Sequence, residues 1–263
     1  MISAVVETRT AAPSVPRVQI GQTTVDCRSF EDAENEIIAA VKRGGRSQYV
    51  VTPNAQGIVL AATEPRLRRL FADAAFVLPD GVSLLIGARI LGKKFPERVP
   101  GVDMFQALCR RAAKEGLRVF LLGGLPGSAE KAVAKLQELN PGLIVAGVLC
   151  PPLGFEKDLN QVLEIRRQIN AARPDLLFVA FGTPKQEYWM DENLPHLDVP
   201  MSMAVGGSFE MVGGIVPRAP KWVQSLGAEW LYRLSREPRR LWKRYLVGNT
   251  QFLSIVLRQR LTR

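Results

Sequence analysis

Short β-branched apolar runs alternate with amphipathic helical stretches along most of the chain, and this alternation leaves few architectures open. SQYVVTPN (47–54), AAFVLPDG (74–81), LRVFLLGG (117–124), LIVAGVL (143–149), DLLFVAFG (175–182) and VPMSMAVGG (199–207) read as strands. Between them, segments such as FEDAENEIIAAVKRG (30–44), MFQALCRRAAKEG (104–116) and LNQVLEIRRQINAARP (159–174) show helical periodicity. GIVLAAT and PRLRRLFADA read as one helical region, and Ser128 as the N-cap of the helix after LLGG. The strands are too uniformly apolar to face water on one side. An α/β fold is expected: a Rossmann-like, mostly parallel sheet flanked by helices on both faces. Arg17–Val25 reads as a short strand pair at its edge, and residues 1–16, rich in Ala, Pro, Ser and Thr, as a loose tail.

In such sheets ligands bind beyond the carboxyl ends of the strands. The polar residues there are the candidates: Thr52 and Asn54, Asp80, Gly123 and Gly124, Thr183 to Gln186 with Lys185 among them, and Gly206, Gly207 and Ser208. Several precede helix starts, where free N–H groups and the dipole favour phosphate. Asp80 closes the apolar run Ala74–Pro79 and has two readings, a general base or half of an Asp-Gly turn. LLGG is only half a dinucleotide fingerprint, since it lacks GxGxxG. Arg98 and Asp103 flank a Pro-Gly turn beside Lys93 and Lys94, a place for a diphosphate or a solvated basic loop.

Composition removes several chemistries. His196 is the sole histidine, which argues against a His cage, a His pair or a Ser-His-Asp triad. No Asp-x-Asp pair and no GxxxxGK[ST] loop occurs. Cys27, Cys109 and Cys150 are scattered, without CxxC spacing, as in a reduced cytosolic protein. No apolar run reaches ~18 residues, so a transmembrane helix is not expected, and MISAVVETRTAAPSVP lacks the pattern of a secretory leader.

The net charge of +10 is strongly localised: residues 218–263 hold 11 Lys/Arg and two acidic residues, while the rest holds 24 against 23. Trp222, Trp230 and Trp242 are interleaved with these cations. Such a block suits an anionic lipid surface. A core-packing helix with a wet basic face is the alternative, and both can hold along different stretches. Nucleic acid is the least favoured partner, because no recognition motif accompanies the charge. The chain divides into a tail (1–16), a catalytic core (17–217) and a basic C-terminal appendage (218–263).

Seven short motifs then occur in one order: Thr52-x-Asn54, Pro79-Asp80-Gly81, Arg98-Val-Pro-Gly101-Val-Asp103, the LLGG turn, Gly182-Thr-Pro184-Lys-Gln186-Glu187, Val205-Gly-Gly207-x-Phe209, and Arg218-Ala-Pro220 followed by Glu229-Trp230, Arg233, Glu237-Pro238 and Arg244-Tyr245. Together they resemble the WecG/TagA/CpsF glycosyltransferases of bacterial cell-surface polymer synthesis. The resemblance runs from about residue 17 to 245. It implies an inverting, metal-independent transferase with no cofactor. Such an enzyme moves glucose, N-acetylmannosamine or its uronic acid from a UDP-sugar to a polyprenyl-diphosphate-linked saccharide. It would work peripherally at the cytoplasmic membrane face. It also implies Asp80 as base, where the family has Ala-Asp-Gly and this chain Pro-Asp-Gly. Thr52, Asn54, Arg98 and Gln186 occupy the family's polar positions, and Arg233, Arg239, Arg240 or Arg244 those of its appendage arginines. Uridine is assigned to the turns at Gly123–Gly124 and Gly206–Gly207. A nucleotide-dependent oxidoreductase or epimerase, a non-catalytic membrane or nucleic-acid binder, and self-association through an apolar surface stay open as alternatives.

Overall fold

The computed structural model describes residues 15–225, 227–236, 238–242 and 246–262. It opens with an antiparallel hairpin, β1 (Arg17–Ile20) and β2 (Thr23–Asp26), that stands apart from the main sheet. Then follow α1 (Phe30–Arg43), β3 (Gln48–Val51), α2 (Ala55–Thr63), α3 (Pro65–Asp73), β4 (Phe76–Val77), α4 (Val82–Ile90), α5 (Gly101–Glu115) and β5 (Arg118–Gly123). The second half continues with α6 (Ser128–Leu139), β6 (Ile144–Leu149), α7 (Leu159–Ala172), β7 (Leu176–Ala180), α8 (Lys185–Asn193), β8 (Met201–Ala204) and α9 (Ser208–Val212). Among the described residues α10 (Lys221–Ser225), α11 (Glu229–Arg236), α12 (Pro238–Trp242) and α13 (Gly248–Leu261) follow.

The six strands β3–β8 form one parallel sheet in the order β4-β3-β8-β7-β5-β6. The expected Rossmann-like α/β class is therefore correct. Successive strand residues face opposite sides, and each side builds its own core. Val51, Val77, Leu122 and Val179 pack against α2, α3, α4, α7 and α8. Val50, Phe76, Leu121 and Phe178 pack against α1, α5, α6 and α9. On the second side the Phe105 ring meets Phe178 edge-on at 4.6 Å.

Two local expectations change. The stretch after β3 is two helices, broken at Glu64, because Pro65 has no N–H to continue the first and suits the first turn of the second. Ser128 does not cap α6: Gly127, at φ 79°, precedes the helix, and the buried Ser128 hydroxyl donates to Glu210 instead.

The hairpin is fastened by a buried ion pair. Asp26 Oδ1 lies 2.8 Å from Arg17 Nε, and its Oδ2 accepts from Arg28 Nη1 and from the Val77 backbone N–H, both at 3.0 Å. Asp26 is fully buried and Arg28 nearly so, with its guanidinium 4.7 Å from the Phe76 ring centre. Breaking a buried pair strands the remaining charge. Asp26→Ala is expected to cost about 3–5 kcal/mol, read as a lower urea midpoint; a cost below about 1 kcal/mol would show that the pair holds nothing together.

The basic segment is not one unit. α13 lies against α2 and α4, with Phe252 and Val256 buried in the core. The approach needs Gly87, where an added Cβ would stand 2.7 Å from the Phe252 ring. Gln259 takes the Gly21 N–H and donates to the Gln19 carbonyl, tying α13 to the hairpin. By contrast, α11 has no buried residue, and Trp222, Trp230 and Trp242 are 67%, 38% and 45% exposed. No helix among the described residues is long and apolar enough to cross a membrane. Residues 1–14, Glu237, Arg244 and Tyr245 lie outside the described residues, as does the Arg240 side chain.

Candidate active site

Main-chain bonds gather three loops at the carboxyl end of β3 and β4. Leu78 N–H donates to the Val51 carbonyl, Asp80 N–H to Pro53, and Val99 N–H to Pro79, at 2.9, 3.1 and 2.7 Å. This stitching brings Thr52, Asn54, Asp80 and Arg98, far apart in sequence, to one cleft of about 250 Å³. Gly101 lets α5 come in closely, since a Cβ there would sit 2.7 Å from Thr52 Oγ1. Asn54 also caps α2, accepting from the N–H groups of Gln56 and Gly57. After Asp80, Gly81 turns at φ 98°, a conformation suited to glycine, and α4 begins. Asp80 is therefore both a turn residue and a cleft residue.

The opposite strands, β7 and β8, are joined by one side chain. Gln186 Oε1 accepts from the N–H groups of Gly182 and Gly206, at 3.2 and 2.9 Å, and Nε2 donates to Thr183 Oγ1 and Glu187 Oε1. It is nine-tenths or more buried. Its polar atoms are already engaged, so its geometry is that of a residue positioning Gly206 and Gly207 at the cleft rim. Burial pushes the Glu187 carboxyl above its ordinary range, against the hydrogen bonds from Gln186 and Thr183.

The third wall is α11. Gly227 admits it next to α4, because a Cβ there would meet Val82 at 2.3 Å. An ionic chain sets its position. Arg218 grips both oxygens of Asp103 and reaches Glu229 Oε1 at 3.4 Å. The other Glu229 oxygen lies 3.4 Å from Arg98 Nη1. Burial works against the Arg218 charge, but Asp103 and Glu229 outweigh it and raise its affinity for the proton. Glu229, Trp230 and Arg233 then line the cleft. Arg233 Nε is buried and has no hydrogen-bond partner among the described residues.

Of the residues singled out in the sequence, Thr52, Asn54, Asp80, Arg98, Thr183, Gln186, Gly206, Gly207, Ser208 and Arg233 line this cleft. The others stand elsewhere. Asp103 holds Arg218. Lys185 is exposed, 3.8 Å from Glu156. Gly123 and Gly124 end β5, on the far side of β7, where Gly124 packs against Ser128, Phe209 and Glu210. Gln56, Ser83 and Asn249 line the cleft but were not singled out as its residues, and Glu229 was read only as part of the Glu229-Trp230 motif. For the first two, a place in the first turn after a strand-end loop was a usable signal. Glu229 and Asn249 depend on how the C-terminal helices pack.

The arrangement sets a carboxylate and two guanidiniums, Arg98 and Arg233, in one cleft at the ends of four parallel strands. A model of the glycosyl transferase WecG/TagA/CpsF family matches residues 18–263. The N-acetylglucosaminyldiphosphoundecaprenol N-acetyl-beta-D-mannosaminyltransferase of Bacillus spizizenii (strain ATCC 23059 / NRRL B-14472 / W23) is 31% identical over 201 residues, 76% of each chain.

Proposed function

The chain belongs to the WecG/TagA/CpsF family of glycosyl transferases, and from that premise we propose that it transfers a sugar from a UDP-sugar to a polyprenyl-diphosphate-linked saccharide, with inversion and without a metal. The observation that carries this reading is the meeting of Asp80 with Arg98 and Arg233 in one cleft. An acceptor hydroxyl gives its proton to the Asp80 carboxylate as its oxygen bonds to the anomeric carbon. The bond from that carbon to the UDP oxygen breaks on the opposite face, and UDP leaves. Negative charge grows on the diphosphate. Arg98, held beforehand by Glu229, and Arg233 stabilise it. The buried Arg233 Nε gains in the diphosphate an acceptor that the described residues do not give it. Thr52 and Asn54 orient sugar or acceptor. The relative's name points to a GlcNAc-diphosphate-lipid acceptor and an N-acetylmannosaminyl donor.

Residues 17–217 form the catalytic core in this reading. The segment 218–242, with its exposed Trp residues and basic charge, rests on the anionic inner face of the membrane beside the lipid-linked acceptor. The chain needs no cofactor. The test incubates the full chain with a panel of UDP-sugars and a short-chain polyprenyl-diphosphate-linked GlcNAc, with UDP release and product mass as readouts. Expected is a product one sugar heavier, at the same rate in EDTA. Loss of turnover in EDTA, restored by a divalent cation, would overturn the metal-independent mechanism; a retained anomer would overturn inversion.

A further inference from the structure

One stretch of the cleft lining carries no charge and takes no part in the steps above. It comes from three first turns: Gln56 of α2, Ser83 of α4 and Asn249 of α13. The Ser83 hydroxyl donates to Asn249 Oδ1 at 3.4 Å. That contact orients the carboxamide and leaves its two N–H donors without a partner among the described residues. The Gln56 side chain likewise makes no hydrogen bond there; only its backbone N–H is taken, by Asn54. These groups are half-buried and their frame is rigid. α13 is held by Phe252 and Val256 in the core and by Gln259 on the hairpin.

We propose that Gln56, Ser83 and Asn249 form a subsite for an uncharged pyranose, a hexose or its N-acetyl form rather than a uronate. Carboxamides and a hydroxyl offer the mixed donors and acceptors that ring hydroxyls and an acetamido group need. A carboxylate needs a cation, and these three residues supply none. A uronate would also lie near the charge of Asp80, three residues before Ser83. The inference rests on the cleft being the glycosyl-transfer site, and it makes the last helix part of that site. The same chemistry is found in the transferred sugar and in the sugar of the acceptor.

Steady-state kinetics separate the two. With UDP-N-acetylhexosamine and polyprenyl-diphosphate-linked GlcNAc, Asn249→Ala and Ser83→Ala are expected to raise one KM about tenfold, the effect of a lost hydrogen bond, with a smaller change in kcat. A raised donor KM places the transferred sugar in the subsite; a raised acceptor KM places the acceptor sugar there. Where the donor KM rises, the wild-type chain should also prefer the uncharged donor to the matching UDP-uronate, and Asn249→Arg should narrow that preference. If both KM values stay put in variants of unchanged unfolding midpoint, or if the donor KM rises and the wild type still prefers the uronate, the subsite is overturned. Turnover surviving Asp80→Asn would strike the mechanism and leave the KM comparison standing. If Asn249→Ala does not fold, Ser83→Ala, on a different helix, decides.

Discussion

Asp80→Asn is expected to lower kcat by about 10²–10⁴-fold, the usual contribution of a positioned general base, while UDP affinity and the urea midpoint stay at wild-type values. The substitution keeps size and shape while removing the charge and with it the ability to take a proton. The Asp80 backbone, which bonds to Pro53, is untouched, so the seam between the β3 and β4 loops persists. Gly81 at φ 98° still turns the chain into α4. Stopped assays for product, calorimetric titration with UDP and denaturation check the three parts separately. Near wild-type turnover in Asp80→Asn would remove Asp80 as the base. Loss of UDP affinity together with turnover would instead make it a binding residue.

The second large effect is expected at Arg98. Arg98→Ala should lower kcat by about 10²–10³-fold, as for removal of one donor aimed at developing charge. Glu229 bridges Arg98 and Arg218, and Arg218 is held in turn by Asp103. Glu229 therefore positions the Arg98 guanidinium and the start of α11 together. Glu229→Ala is expected to lose about tenfold in kcat/KM, and Glu229→Asp to recover part of it. In the Arg98→Ala background the Glu229 change should have almost no further effect, because the group it positions is gone. A double-mutant cycle measures this. Fully additive losses would show that Glu229 acts on the reaction by some other route.

Much of the fold was legible, for a physical reason. Strands buried on both faces must be apolar throughout, and segments such as LLFVA between Asp175 and Phe181 cannot disguise that. Strand order was not legible. Asp80 and Gly123 both end strands, yet the sheet sets β4 and β5 on opposite sides of the β3-β8-β7 trio. Only Asp80 falls in the cleft. The LLGG turn follows β5, beyond β7 from β3 and β4, and so stands outside this cleft. The C-terminal segment was legible in part. Its charge left a lipid-facing and a core-packing reading open along different stretches, and Phe252 and Val256 bind α13 into the core and bring Asn249 to the cleft. Basic composition described the exposed side of that helix and concealed the side that packs.

β8 sits between β3 and β7, so Gln48 pairs with Met201 across most of the chain, and Met201 also pairs with Leu176. The β4-β3 pair and the β7-β5-β6 trio have no edge in common until β8 arrives to join them. Closing so long a loop costs entropy before any contact rewards it. The cleft is therefore complete only once β8 has joined the two, because Asp80 and Asn54 follow the strands on one side of it and Gln186 follows β7 on the other.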